Sequence, residues 1–93
     1  MDANQSAVVA GLRRVGCSVA ILSDLGDGIP DLLVGVRGQT FLLEVKDGNA
    51  PPSERKLTPD QQVFRDTWRG GPLITVESVD DAVRIVALTK VIT

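Results

Sequence analysis

The chain contains no histidine, a single cysteine and no long apolar run. Cys17 therefore cannot close an internal disulfide and has no histidine to activate it as a nucleophile, so we expect it to be a small core residue. No apolar stretch approaches the roughly 20 residues that span a bilayer, and the first residues lack the basic and apolar segments of a signal peptide. These absences predict a cytoplasmic protein.

A strong excess of basic residues is also missing, because the formal net charge is −2. This balance argues against a surface that is basic throughout and coats nucleic acid, although local clusters matter more than the total. Basic residues slightly outnumber acidic ones between Glu54 and Arg69. A DNA-binding face would therefore be assembled from scattered residues or from two subunits.

The 93 residues, 43% of them hydrophobic, suit one α/β domain over residues 1–93. Val8, Leu12 and Val15 predict an apolar helix face, and the other elements follow from apolar periodicity and turn residues. The predicted order is αβββαβα: a helix at 3–15, strands at 18–22, within 28–35 and at 41–46, a helix from 59 to about 68, a strand at 73–76, and a helix at 79–86 behind Ser78 or Asp80 as cap. Residues 88–93 are expected to be a short edge strand or a subunit contact.

Two carboxylates and one amine lie within the apolar sequence of the predicted second and third strands. Glu44 and Lys46 are two residues apart, so they project from the same face of a strand. Asp31 shares that face if the connecting turn has two residues. A turn at residues 37–38 would set Asp31 opposite Glu44, and one at residues 38–39 would set it opposite Lys46. A three-residue loop would move Asp31 to the other face unless the chain bends at Pro30.

Two neighbouring carboxylates in an apolar sheet repel each other and lose hydration, so a proton or a cation must compensate them. Oxygen ligands without histidine favour Mg²⁺ or Mn²⁺ over zinc. Lys46 could then hold a phosphate charge and help to position a water molecule. The alternative is a strand-end aspartate, a solvent-facing Glu44 and an ordinary lysine paired with it.

Pro30-Asp31 followed by Glu44-Val45-Lys46 matches the PD-(D/E)XK nuclease signature. The surrounding sequence resembles the VRR-NUC (virus-type replication-repair nuclease) branch of that superfamily, in its phage-type standalone form. The likeness covers most of the chain, through segments 2–5, 43–48, 51–53 and 57–61 to about Trp68. It implies a restriction-endonuclease-like core with a mixed β-sheet flanked by helices. It also implies a Mg²⁺- or Mn²⁺-dependent endonuclease that hydrolyses DNA, including branched or junction DNA, as a homodimer.

The resemblance also implies roles for individual residues. Asp31, Glu44 and the backbone carbonyl of Val45 would hold the metal, and Gln5 would approach it where the family has an acidic or amide side chain. The alternative for Gln5 is a solvated N-terminal glutamine. Gln61 would lie near the active site as a catalytic residue, but Thr58-Pro59-Asp60-Gln61 is also a helix start in which Gln61 completes a capping box.

Three further features of the sequence each have a structural and a functional interpretation. Asp24 and Asp27 lie in a glycine-rich loop, where aspartates are more often turn formers than ligands. Arg55 and Lys56 end a proline-containing loop that would border the substrate in a nuclease or would otherwise be a solvated connector. Trp68 could stack on a base, but its helical spacing favours a core position.

Two other functions remain open from the sequence. One is a DNA-binding or assembly module that keeps the nuclease fold but does not cleave DNA. The amide of Gln5, which stands in place of a carboxylate, favours this alternative. The other is a small α/β binding protein unrelated to nucleic acid, which the acidic net charge would suit.

Overall fold

The computed structural model describes residues 3–88. Its elements are α1 (Ala3–Arg14), β1 (Ser18–Ile21), β2 (Leu32–Val36), β3 (Gln39–Val45), α2 (Pro52–Arg55), α3 (Pro59–Thr67), β4 (Leu73–Val76) and α4 (Val79–Leu88). The predicted α/β class is confirmed, and α2 is one additional helical turn inside the segment that was expected to be a loop. Leu88 belongs to α4, and the rest of the strand or contact predicted at 88–93 lies outside the described residues. No helix within residues 3–88 is long and apolar enough to cross a membrane.

The four strands form one mixed sheet in the order β1-β2-β3-β4. The first two pairings are antiparallel, whereas β3 and β4 are parallel. Parallel neighbours cannot be joined by a tight turn, so the chain crosses over between them through α2 and α3. This crossover places α3 over the sheet face that carries Glu44, as its contacts show below.

The β2–β3 hairpin settles the question of register. Val36 pairs with Gln39, which leaves Arg37-Gly38 as a two-residue turn. Both turn residues have positive φ, 50° at Arg37 and 78° at Gly38, as a type I′ turn requires. Because Leu32 pairs with Leu43, the next position outward sets Asp31 opposite Glu44, which is the first of the alternatives left open by the sequence.

The hydrophobic core lies between one face of the sheet and the pair α1 and α4. It comprises Val8, Val9, Leu12, Cys17, Leu32, Val34, Phe41, Leu43, Val45, Val76, Ala82 and Val86. Gly11 lets the two helices meet closely, because a Cβ there would lie 2.5 Å from Cγ1 of Val79. The buried position predicted for Cys17 is confirmed, and burial raises the pKa of its thiol. Val15 is instead 50% exposed, because α1 ends at Arg14 and the chain turns at Gly16.

The opposite face of the sheet is only partly covered, by α3. Both halves of the capping box between Thr58 and Gln61 are present, as predicted. The expectation that Trp68 is a core residue is wrong, since it is 43% exposed. The reason is that Trp68 comes just after the last residue of α3, over a part of the sheet face that the helix leaves open. Within α3, Gln61 donates to Glu44 and Arg65 donates to Thr75, so the helix places polar side chains against the sheet. The cap of α4 is Ser78, whose Oγ accepts from the N–H of Asp81.

Candidate active site

The paired register brings Asp31 to the end of β3. Its main-chain carbonyl accepts from the N–H of Leu22 at 2.7 Å, and its Oδ2 accepts from the N–H of Val45 at 2.8 Å. These two bonds tie Asp31 to the strands on both sides of it, just before β2 begins. Its carboxyl group therefore has a fixed place beside that of Glu44.

Glu44 is the most deeply buried charged residue of the site, at 3% exposure. Its Oε1 accepts from Nε2 of Gln61 at 2.9 Å and lies 3.8 Å from Nζ of Lys46. Burial raises the pKa of the Glu44 carboxyl to about 8, and the charge of Asp31 and a hydrogen bond with Asp31 add to the rise. The positive charges of Lys46 and Arg65 oppose it. At neutral pH the metal-free Glu44 carboxyl is therefore mostly protonated.

Gln61 joins the helix cap to the site. Its Oε1 accepts from the N–H of Thr58 and from Nζ of Lys46, each at 2.9 Å. Because the backbone donor of Thr58 fixes Oε1 on that side, Nε2 is left to donate to Glu44. The two interpretations of Gln61 are thus compatible, since one amide both caps α3 and holds Glu44 and Lys46.

Gly28 fixes the distance between α3 and the segment that leads into Asp31. Its φ is +75°, and an added Cβ would lie 2.2 Å from the carbonyl oxygen of Asp60. The loop before β2 therefore packs directly on the first turn of α3. Since Gln61 follows Asp60, this close approach helps to set where the Gln61 amide meets the carboxylates.

Arg65 is a residue of the site that sequence reasoning missed. Its Nη2 donates to Oγ1 of Thr75, and its charge acts on Glu44. Its Nε is buried and has no hydrogen-bond partner within residues 3–88. The available signal was its spacing, because a residue four positions after Gln61 lies on the same face of a helix. The site therefore has a second cation besides Lys46.

The first turn of α1 reaches the same end of the sheet. Asn4 donates from Nδ2 to the carbonyl of Lys46 at 2.9 Å. Gln5 is 4% exposed and donates from Nε2 to Oγ of Ser23 at 3.1 Å. A solvated Gln5 is therefore wrong, whereas its contact with a metal stays a prediction.

The other predicted residues lie apart from this cluster. Arg55 forms an ion pair with Glu77 at 3.2 Å, and Lys56 is exposed at the end of α2. Asp24 and Asp27 are exposed in the loop before β2, and the φ of 56° at Asp27 is typical of a turn. Within residues 3–88, no three side chains from histidine, cysteine, aspartate and glutamate are grouped to hold a metal ion.

The donors at the site nevertheless fit a hard divalent cation. Asp31 and Glu44 supply carboxylate oxygens, and the chain has no histidine to supply an imidazole nitrogen. Burial and the charge of Asp31 raise the pKa of Glu44, so added positive charge would stabilise its ionised form. A cation could replace the proton on Glu44, because carboxylate ligands bind metals in their deprotonated form.

Known proteins provide one informative comparison. No model of a protein family matches the chain, and no curated protein matches it. A solved structure described as a VRR_NUC domain matches with 27% sequence identity and a TM-score of 0.68, over 92% of this chain and 92% of that chain. The likeness therefore extends over most of both chains. The chain has the VRR-NUC nuclease fold.

Proposed function

We propose that the protein is a metal-dependent endonuclease that hydrolyses DNA phosphodiester bonds. The observation that carries the proposal is the convergence of Asp31 and the buried Glu44 beside Lys46. Burial, and after it the nearby Asp31, raises the pKa of Glu44 to about 8. A buried acidic pair next to a lysine is the arrangement that a divalent ion and a phosphate would complete. The VRR_NUC structure supports a nuclease over other uses of the site.

The metal would be Mg²⁺ or Mn²⁺, held by the carboxylates of Asp31 and Glu44 and by the backbone carbonyl of Val45. When bound, such an ion supplies Lewis acidity to the scissile phosphate and lowers the pKa of a water ligand. Gln5 is proposed as an additional ligand or support, because its amide is buried on the first turn of α1. Arg55 and Lys56 are proposed to contact backbone phosphates farther along the DNA.

Lys46 would steady the attacking water or the developing negative charge. Its amine is 2.9 Å from Oε1 of Gln61 and 3.8 Å from Oε1 of Glu44, so the amide holds it more closely than the carboxylate does. An ammonium has three protons, which leaves donors for a phosphate oxygen. Gln61 would act as a positioning residue for Lys46, and Arg65 would balance charge beside Glu44.

Branched or junction DNA is the proposed substrate form, cut by a symmetric homodimer in the cytoplasm. A chain of this size presents little surface for gripping a duplex, and two copies related by a twofold axis would offer two sites to opposed strands. Residues 1–93 are proposed to form one nuclease domain.

Cleavage assays on branched, single-stranded and duplex DNA with Mn²⁺ test this proposal. The Asp31→Ala variant should lose roughly a hundredfold or more of the rate, because it removes a metal ligand. Asp24→Ala is the matched control, since it removes an exposed loop aspartate of the same charge. Metal-dependent cutting that survives in Asp31→Ala would refute the assignment.

A DNA-binding module without catalysis is the second candidate. It is favoured by the absence of a third acidic ligand near Asp31 and Glu44 among the described residues. DNA binding without cutting by the wild type under any of these conditions would support it. Neither binding nor cutting would favour a binding protein unrelated to nucleic acid.

A further inference from the structure

The sheet face that carries the candidate site continues into an apolar groove of about 210 Å³. Leu33 and Leu42 are paired across β2 and β3 and contribute to its lining. Trp68 and Pro72 border it from the chain that follows α3. Since α3 covers only part of this face, the groove is open to solvent.

The groove is next to the acidic pair. Leu33 follows Asp31 by two residues and Leu42 precedes Glu44 by two, so all four side chains project from the same face. Two residues along a strand correspond to about 7 Å. A ligand with its phosphate at the carboxylates would therefore have its adjoining group within reach of the groove.

Trp68 is held in place before any ligand arrives. Its Nε1 donates to the carbonyl of Gly71 at 2.7 Å, and its ring stacks on Phe64 with a centroid separation of 5.4 Å and an angle of 17° between planes. The indole is nonetheless 43% exposed. A fixed, exposed aromatic ring can bind a flat ligand without losing side-chain freedom on binding.

The α3 segment arranges three kinds of group in line over this face. Gln61, Arg65 and Trp68 have the i, i+4, i+7 spacing of one helical face, from the carboxylates to the groove. They are respectively a contact to Glu44, a cation and an aromatic ring. This sequence of groups complements a nucleotide, which has an anionic phosphate at one end and a flat base at the other.

We propose that the groove binds the base of an unpaired nucleotide next to the scissile phosphate. The inference rests on the proposed nuclease function and specifies its substrate. Bases in a duplex are stacked and paired, so only an unpaired or flipped base can enter a pocket for a single ring system. Single-stranded or branched DNA would then be preferred to continuous duplex. A second protein copy fits the groove less well than a base does. A stable protein interface buries about 800 Å² on each partner, whereas this groove is a small pocket lined by a few residues.

The sole tryptophan makes occupancy of the groove directly measurable. Short oligothymidylate is titrated into the wild-type protein in EDTA, so that no cutting occurs, and Trp68 emission is followed. An abasic oligonucleotide of equal length is the matched ligand, with the same phosphates but no bases. We expect oligothymidylate to quench the emission and to bind roughly tenfold more tightly than the abasic strand, the range of base stacking on an aromatic residue.

Variants separate base binding from phosphate binding, with affinities measured by anisotropy of labelled strands. Trp68→Leu should bind the abasic strand as the wild type does and should lose most of its preference for oligothymidylate. Val63→Ala is the control, because Val63 is an exposed apolar residue of α3 outside the lining of the groove. The comparison of the two ligands on wild-type protein stands even if Trp68→Leu folds poorly.

Equal binding of the two strands with unchanged emission would overturn the inference. So would an emission that changes with protein concentration alone and not with DNA, since this would assign the groove to a contact between copies. Base-dependent binding without any cutting in Mn²⁺ would support the base site and reject the nuclease. Cutting that is indifferent to an abasic position beside the cut would support the nuclease and reject the base site.

Discussion

Glu44 is the residue whose chemistry depends most on its surroundings. Its carboxyl is buried among β-strand neighbours and faces Asp31. The protonated form is therefore favoured in the folded, metal-free state up to a pH of about 8, whereas an unfolded glutamate ionises near 4.5. This difference links folding to pH.

The free energy of unfolding of the metal-free protein should fall as the pH rises from about 4.5 to about 8. Below the unfolded pKa the stabilisation is fully present, and it is lost as the pH passes through the folded pKa of Glu44. The loss should be on the order of a few kcal/mol. Denaturant unfolding in EDTA across this range measures it. Glu44→Gln should flatten the slope, and an unchanged slope in that variant would assign the dependence to another group.

Gln61 can be tested for its two roles by a variant that keeps one of them. Gln61→Glu retains a residue that suits the third helical position of a capping box, so the free energy of unfolding at low pH should change by less than about 1 kcal/mol. It also places a third carboxylate against Glu44 and removes the donor at Nε2, so cutting should fall and its pH profile should shift upward. Rates measured against pH, beside thermal unfolding, make the comparison. Wild-type rates at every pH would leave Gln61 with only its capping role.

At the scale of elements, the position of α3 depends on a close contact between backbones. Gly28→Ala should destabilise the fold by more than the roughly 1–2 kcal/mol of a positive φ, because the new Cβ meets the Asp60 carbonyl. Gly26→Ala is the matched control, since Gly26 also has a positive φ but has no other atoms within 4 Å of an added Cβ. Denaturant unfolding of both variants separates strain from collision. Equal losses would show that the loop does not press on α3.

The elements also show which signals in a sequence suffice for prediction. The capping box was predictable, because Thr58 and Gln61 act through local backbone geometry. The hairpin was predictable too, but its turn at Arg37-Gly38 was only one of the alternatives that the sequence left open. Trp68 was misassigned, since a helical period does not show that α3 ends at Thr67 and leaves the sheet beside Trp68 uncovered. Arg65 was missed because its partner Thr75 lies on β4, which becomes a neighbour only through the crossover.

At the scale of the whole molecule, metal binding should add to stability. Since the unfolded chain has no preformed site, Mn²⁺ at about 100 times its Kd should stabilise the fold by about 2.7 kcal/mol. For a domain of this size the Tm should rise by roughly 10 °C or more. Calorimetry with Mn²⁺ and with EDTA tests this at pH 8. The rise should vanish in Asp31→Asn and persist in Asp24→Asn, and a rise in both variants would indicate binding elsewhere.

The two-residue turn at Arg37-Gly38 also has a kinetic consequence. Hairpins form in about 1–10 μs, whereas the β3–β4 pairing must await closure of the long crossover. Gly38 has a positive φ and open space around it, so Gly38→Ala perturbs little besides the turn, and we expect it to slow folding more than it speeds unfolding. The reverse result in stopped-flow refolding would mean that the turn forms late. If the hairpin forms early, Asp31 and Glu44 come together before Gln61 and Arg65 pack against them. The two carboxylates repel each other at that stage, so a divalent ion could accelerate folding by screening their repulsion in the transition state.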